Sequence, residues 1–247
     1  MIRLSEVEAV IFDTDGVVTD TARLHAAAWK VVFDAFLRGR AIAAGTEYRP
    51  FDEHADYLRY VDGKPRSEGI RDFLTSRGVQ AGGRAVAEMG DRKDALYMDQ
   101  VRHGGVVAFP SSVALVRALR SRHVRTAVVS ASRNCAEVLS RAGVSGLFDV
   151  RVDGVESARL GLAGKPDPAL FLEAARRLGV PPERTAVVED ALAGVSAGRR
   201  GGFGLVIGVD RNGQAPALLA SGADLVVADL SELTSDGSDR EPLAADL

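Results

Sequence analysis

Two aspartates, Asp13 and Asp15, follow the apolar run Val10-Ile11-Phe12 and precede Gly16. The run reads as the end of a buried strand. An extended backbone would aim both carboxylates to one side, and Gly16 would let the chain turn sharply beside them. Packing gives no reason for two converging acids at a strand end. The pair suits a nucleophilic carboxylate, a second carboxylate for proton transfer, and a hard cation to hold a phosphate. The plainer alternative is that strand-end aspartates shape a turn. What decides between them is which other groups reach the same place.

The elements that would position such groups alternate along the chain. Residues 8–14 read as a first strand. From Thr21 the apolar period becomes helical, with Leu24, Ala28, Val31 and Ala35 on one face to about Leu37, and Gly39, Gly45 and Pro50 are expected to break the chain after it. The stretch 51–105 is rich in charge, has no convincing strand, and suggests helices near 52–60, 67–77 and 83–101. Past Gly104-Gly105 a helix runs to Arg120 with Ser111 and Ser112 as candidate caps. A strand over 125–131, a helix over 133–142 and a strand over 148–152 follow. Asp167-Pro168 opens a further helix. Then come a strand over 184–190, a helix over 191–199 and strands over 204–209 and 224–227. This order predicts an α/β fold: a parallel sheet with helices on both faces, built from 1–20 and 106–234. The insert 21–105 is predicted to be all-helical, and the acidic tail 235–247 to be mobile.

Composition narrows the function. The chain has 247 residues, 46% of them hydrophobic, enough for a core domain with a smaller insert. A formal net charge of -3, with both signs dispersed, gives no reason to expect nucleic acid or an anionic membrane as partner. The single cysteine, Cys135, rules out an internal disulfide framework. The first ten residues are charged and lack the apolar core of a secretory leader. No run of 18 apolar residues occurs, so no membrane span is expected. A cytoplasmic protein and a monomer are the expectations.

The polar residues collect at one edge of the predicted sheet. Asp13 and Asp15 end the first strand, Ser130 ends the strand over 125–131, and Glu189 and Asp190 end the strand over 184–190. Lys165 lies in the loop before the Asp167 helix. Sites in open α/β sheets form outside the carboxyl ends of the strands. A phosphate monoester is dianionic near neutral pH and repels a carboxylate. A magnesium ion held by Asp13, a backbone carbonyl near Asp15 and Asp190 would cancel that repulsion. Lys165 would add a positive charge and Ser130 a hydroxyl donor. Asp13 could then attack phosphorus, with Asp15 protonating the leaving oxygen and later deprotonating the acceptor.

In these motifs the chain resembles the haloacid dehalogenase-like superfamily: Asp13-x-Asp15-Gly16, Ser130, Lys165-Pro166 and Glu189-Asp190 stand in the order of its four motifs. Within it the chain is most similar to the β-phosphoglucomutase family, through residues 13–22, His25, Trp29, Ser130-Ala131-Ser132-Arg133-Asn134 and Gly164-Lys165-Pro166-Asp167-Pro168. The resemblance spans about 7–233. It implies a Rossmann-like core with a helical cap that closes over the site. It implies Asp13 as nucleophile and Asp15 as general acid/base. The magnesium site would comprise the Asp13 side chain, the Asp15 carbonyl, Glu189 and Asp190. Ser130 and Lys165 would bind the transferring phosphoryl group, with Ala131 and Asn134 helping to bind phosphate. In the cap, Arg66 matches an arginine that grips the non-reacting phosphate, His25 and Lys93 match residues coupling closure to catalysis, and Thr21 matches a hinge residue. The substrate implied is a small sugar phosphate. The loop Gly63-Lys64-Pro65-Arg66 and the segment 38–49 differ in length from the family pattern, and Ala191 replaces an often polar residue.

Plainer readings stand beside these. Lys165 could be a solvated loop lysine, Ser130 could simply end a strand, and Glu189-Asp190 could cap the next helix. His25 and Trp29, one turn apart, could be a packing pair. Arg66 and Lys93 lie in a segment rich in surface charge. His54 near Asp52 and Asp56 lacks a metal-ligand partner set. The glycines over 198–204 follow a helix and precede a strand, the reverse of a dinucleotide fingerprint. Cys135 reads as a structural helix residue. The activities in view are a β-phosphoglucomutase, a sugar-phosphate phosphatase, a non-catalytic sugar-phosphate sensor and a dehalogenase. The intact acids disfavour the sensor, and the second aspartate and magnesium carboxylates disfavour the dehalogenase.

Overall fold

A computed structural model describes residues 4–234, and the tail 235–247 lies outside the described residues. Six strands form one sheet: β1 Ala9–Asp13, β2 Arg125–Val129, β3 Val150–Val152, β4 Thr185–Glu189, β5 Leu205–Val209 and β6 Leu225–Val227. Every pairing is parallel, in the order β3-β2-β1-β4-β5-β6. The helices are α1 Ala22–Ala44, α2 Arg66–Ser76, α3 Gly83–Gly104, α4 Pro110–Ser121, α5 Cys135–Arg141, α6 Gly154–Leu160, α7 Ala169–Leu178, α8 Leu192–Arg200 and α9 Ala215–Ala220. This is the Rossmann-like α/β fold that the sequence predicts. Among the described residues no helix is long and apolar enough to cross a membrane.

Side-chain alternation explains the layers. β1, β4 and β5 are buried at every position, as central parallel strands covered on both faces must be. Val10 and Phe12 join Leu115, Leu119 and Leu139, from α4 and α5, on one face. Ala9 and Ile11 join Phe171, Val195 and Leu218, from α7, α8 and α9, on the other. Successive strand residues thus feed opposite cores. The chain divides into two compact units, one of residues to Asp20 and from Val107, the other Thr21–Val106. The helical unit has its own core, in which the rings of Phe33 and Phe73 lie 4.3 Å apart and Trp29 stacks on Phe33 at 4.9 Å.

Three local expectations are corrected. Gly39 does not stop α1. Leu37 and Ala41, buried one turn apart, carry the helix to Ala44, and Gly45 ends it in the left-handed conformation. Neither serine caps α4: Phe109 stands at the cap, Ser111 donates to Asp229 (2.8 Å) and Ser112 to the Val17 carbonyl (2.6 Å). Two short helices, α6 and α9, occupy stretches the periodicity left unassigned. Asp153 caps α6, accepting from the amides of Val155 and Glu156.

Candidate active site

Register builds the site. Asp13 lies opposite Val129, so Ser130 is the next residue past the end of the neighbouring strand. Phe12 lies opposite Val188, which sets Asp13 level with Glu189 on the other side. The strand order reverses direction between β1 and β4, the crevice where open sheets bind ligands. Asp15 follows on a tight turn: the Gly16 amide donates to the Thr19 carbonyl (2.8 Å), and those of Val18 and Thr19 donate to Thr14 (2.9 Å each).

Lys165 is the electrostatic hub. Buried to 1% exposure, its Nζ donates to Asp13 Oδ1 and to Glu189 Oε2, the latter at 2.6 Å. Burial works against the ammonium, but Asp13 and Glu189 outweigh it and raise its pKa. Asp13 is held well above the usual carboxylate range by burial, then by the charge of Glu189; Lys165 pulls the other way. Glu189 also accepts from the Ala191 amide (3.1 Å). Ser130 Oγ donates to Asp15 Oδ2 at 3.4 Å and accepts from the Ser132 amide at 3.0 Å. The loop through Ala131 continues to Asn134, whose amide donates to Ser132 Oγ (3.1 Å).

Carboxylate oxygens of Asp13, Glu189 and Asp190, all buried, lie within 4.8 Å of one another. Asp15 adds its charge to Asp13, and the Lys165 ammonium bonds Asp13 and Glu189. The carboxylates are hard oxygen donors, and the negative excess is what a divalent cation cancels. The residues therefore fit a magnesium ion. Both Glu189 oxygens also accept hydrogen bonds, one from Lys165 and one from the Ala191 amide.

Two glycines make room for this cluster, and motif reading did not single out the second. A Cβ on Gly16 would lie 1.8 Å from Asp190 Oδ2, and one on Gly194 would lie 2.0 Å from Glu189 Oε2. Gly194 is inside α8, where alanine ordinarily gains about 1 kcal/mol over glycine. Here the clash wins, because Glu189 must leave Lys165. Gly194→Ala is expected to lose about 1–3 kcal/mol of stability together with activity; a thermal melt showing stabilisation would refute this. A further side chain that sequence reasoning missed is Arg211. Its Nε donates to the Gly16 carbonyl (3.0 Å) across 195 residues, and its guanidinium lies 3.9 Å from the Phe109 ring centre. It pins the turn that carries Asp15.

Cys135 touches Thr14 Oγ1 at 3.5 Å, and burial pushes its thiol up to about 12. Roughly one thiol in 10⁴ would be ionised at pH 8. Iodoacetamide should therefore leave the folded protein unlabelled and label it after urea; rapid labelling of the native state would show the site is open.

The other residues singled out from the sequence lie in the helical unit. Thr21 is buried at the start of α1, its carbonyl accepting from the amides of Leu24 and His25 (3.0 Å each). His25 Nδ1 lies 2.6 Å from Lys93 Nζ, and its ring stacks on Tyr97 at 3.9 Å. Lys93 is buried, 4.5 Å from the Tyr97 ring centre and 5.4 Å from that of Trp29. Arg66 is ion-paired with Asp94, donates to the Gly90 carbonyl (3.1 Å) and lies 3.6 Å from Asp91. His25, Trp29 and Lys93 thus form one cluster, and Arg66 another.

Residues 7–202 match the family model described as haloacid dehalogenase-like hydrolase. A β-phosphoglucomutase from Mycobacterium bovis is 44% identical over 240 residues, covering 92% of each chain. A phosphorylated carbohydrates phosphatase from Thermotoga maritima is 28% identical over 225 residues, covering 90% of this chain and 94% of the relative. The crystal structure of a β-phosphoglucomutase from Clostridium difficile superposes with a TM-score of 0.72 at 26% identity, covering 92% of this chain and 93% of that one.

Proposed function

The chain belongs to the haloacid dehalogenase-like hydrolase family, and from that premise we propose that it is a magnesium-dependent phosphotransferase on hexose phosphates. The activity we assign is that of a β-phosphoglucomutase, converting β-glucose 1-phosphate to glucose 6-phosphate. The observation that carries this reading is Asp13 at the end of β1, with Lys165 bonded to it and Asp190 beside it. Likeness to the mycobacterial mutase over nearly the whole chain supports the choice of substrate.

In this reading an Asp13 oxygen attacks phosphorus, and the bond from phosphorus to the sugar oxygen breaks. Asp15 gives its proton to the departing oxygen. In the reverse sense Asp15 takes the proton of the accepting hydroxyl as the phosphoryl group leaves Asp13. Two such transfers, through a sugar bisphosphate, move the group from one position of the sugar to the other. Lys165 and Ser130 hold the phosphoryl oxygens, and Ala131 and Asn134 help to bind phosphate. A magnesium ion, held by Asp13, the Asp15 carbonyl and Asp190, would neutralise phosphoryl charge. We assign Arg66 the non-reacting phosphate, and His25, Lys93, Trp29 and Thr21 the preference for a sugar over water as acceptor.

A phosphatase is the second reading. The pairing of Arg66 with Asp94 favours it, since gripping a second phosphate requires that pair to open; so does the likeness to the carbohydrate phosphatase. One incubation separates the two. The protein, magnesium, β-glucose 1-phosphate and a trace of glucose 1,6-bisphosphate are mixed, and glucose 6-phosphate and inorganic phosphate are followed together. Glucose 6-phosphate is expected to outrun phosphate. Phosphate alone would replace the mutase by a phosphatase.

A further inference from the structure

The opposite end of the sheet carries a second concentration of charge, of the other sign. A cavity of about 470 Å³ opens at the N-terminal edge of β2 and β3, lined by Arg120, His123, Arg125, Asp149 and Arg177 among others. Its volume falls in the roughly 300–1,000 Å³ range of small-molecule sites. Three guanidiniums and an imidazole thus face one carboxylate.

That carboxylate is already committed. Asp149 accepts from Arg120 (2.7 Å) and from the Thr126 amide (2.8 Å). Glu156 and Glu173, which pair with Arg177, do not line the cavity. Arg125 differs from its neighbours: among the described residues no carboxylate pairs with it, and its guanidinium donates to the Leu178 carbonyl at the end of α7. Capping that helix uses one of the five guanidinium donors. The others remain for an acceptor in the cavity.

His123 gives an independent sign. It is the one non-glycine with positive φ (61°) among the described residues. It follows the end of α4, where its amide donates to Arg120 and that of Val124 to Leu119 (3.0 Å each). This is the helix-ending position that glycine fills best, and α1, α6 and α7 do end on glycines: Gly45, Gly161 and Gly179. A side chain there costs roughly 1–2 kcal/mol. A backbone outlier beside a cavity motivates a functional hypothesis, and the imidazole adds a donor to the basic wall.

We propose that this cavity is a second anion site, binding a phosphoryl dianion through Arg125 and His123, with Arg120 and Arg177 held at its walls. Planar guanidinium donors match phosphate oxygens in pairs. The dianion is either free inorganic phosphate or the phosphate of a hexose phosphate. The site stands apart from the carboxylate cluster and does not depend on the reaction assigned to it.

The test follows the His123 ring by NMR during titration of the whole protein with inorganic phosphate and, separately, with glucose 6-phosphate. Sodium chloride at matched ionic strength is the control. His123→Gly assigns the resonance among the four histidines. A saturable shift absent with chloride is expected, weakened about tenfold or more in Arg125→Ala, the loss of one charge-assisted contact. The anion that saturates at lower concentration identifies the source. His123→Gly should melt no lower than the parent, since glycine suits that backbone, and Arg125→Ala must retain the parent's far-UV spectrum. No saturable shift, or an equal one in a folded Arg125→Ala, would overturn the site.

Discussion

Asp13→Asn is expected to lower turnover by at least about 10³-fold while leaving the metal-free protein as stable as the parent or more so. The two effects share a cause. In the proposed reaction the nucleophile must stand charged among groups that would bind phosphate and metal, and here Asp13 stands among Glu189, Lys165 and Asp15. Asp13 feels this as a pKa raised first by burial and then by Glu189. A folded pKa above the unfolded one makes the charged group a cost to folding at neutral pH, and the cost disappears as pH falls below the unfolded value near 3.9. Asparagine keeps the shape and removes the charge, and Lys165 keeps its bond to Glu189. The advantage of the variant should therefore be greater at pH 7 than at pH 4. Addition of magnesium should stabilise the parent more than the variant. Thermal melts with and without magnesium at both pH values check this. A large loss of stability in the metal-free variant would mean that the Asp13–Lys165 pair outweighs the repulsion.

The grouping of the candidate residues is legible because a parallel sheet delivers the ends of its strands to one edge. Once β1, β2 and β4 could be read from their apolar runs, Asp13, Ser130 and Glu189-Asp190 had to lie together. Lys165 was harder: it lies within a loop, and only the order of motifs marked it. What stayed illegible depends on contacts far apart in sequence. Nothing near Gly194 announces that Glu189 fills the space where its side chain would be. The bond from Arg211 to the Gly16 carbonyl joins segments 195 residues apart. Gly39 misled for the opposite reason. Its own propensity argues for a break, but the buried residues on either side hold α1 together, so tertiary packing overrides it. In the helical unit, chemistry-bearing types were visible but their pairing was not: Arg66 meets Asp94 across two helices, which no spacing predicts.

Lys165→Met tests the hub from the other side and should be the most destabilising substitution at the site. Methionine fills similar volume, so packing changes little. The change removes the cation that bonds Asp13 and Glu189. Lys165 is 1% exposed, so solvent cannot replace it cheaply. Breaking a buried pair from one side costs about 3–5 kcal/mol, because the uncompensated charge stays behind; here two carboxylates are left. Uptake of protons can relieve part of that, so the loss should be deepest at neutral pH and shrink as the pH falls. A divalent cation offers a second remedy, since Asp13 and Asp190 remain. Magnesium should therefore raise the melting temperature of Lys165→Met by more than it raises that of the parent, without restoring turnover, because the ammonium that would face the phosphoryl group is gone. If Lys165→Met melts with the parent in the absence of magnesium, the carboxylates are not charged together in the resting protein. The electrostatic account of the cluster would then fail even though its geometry stood.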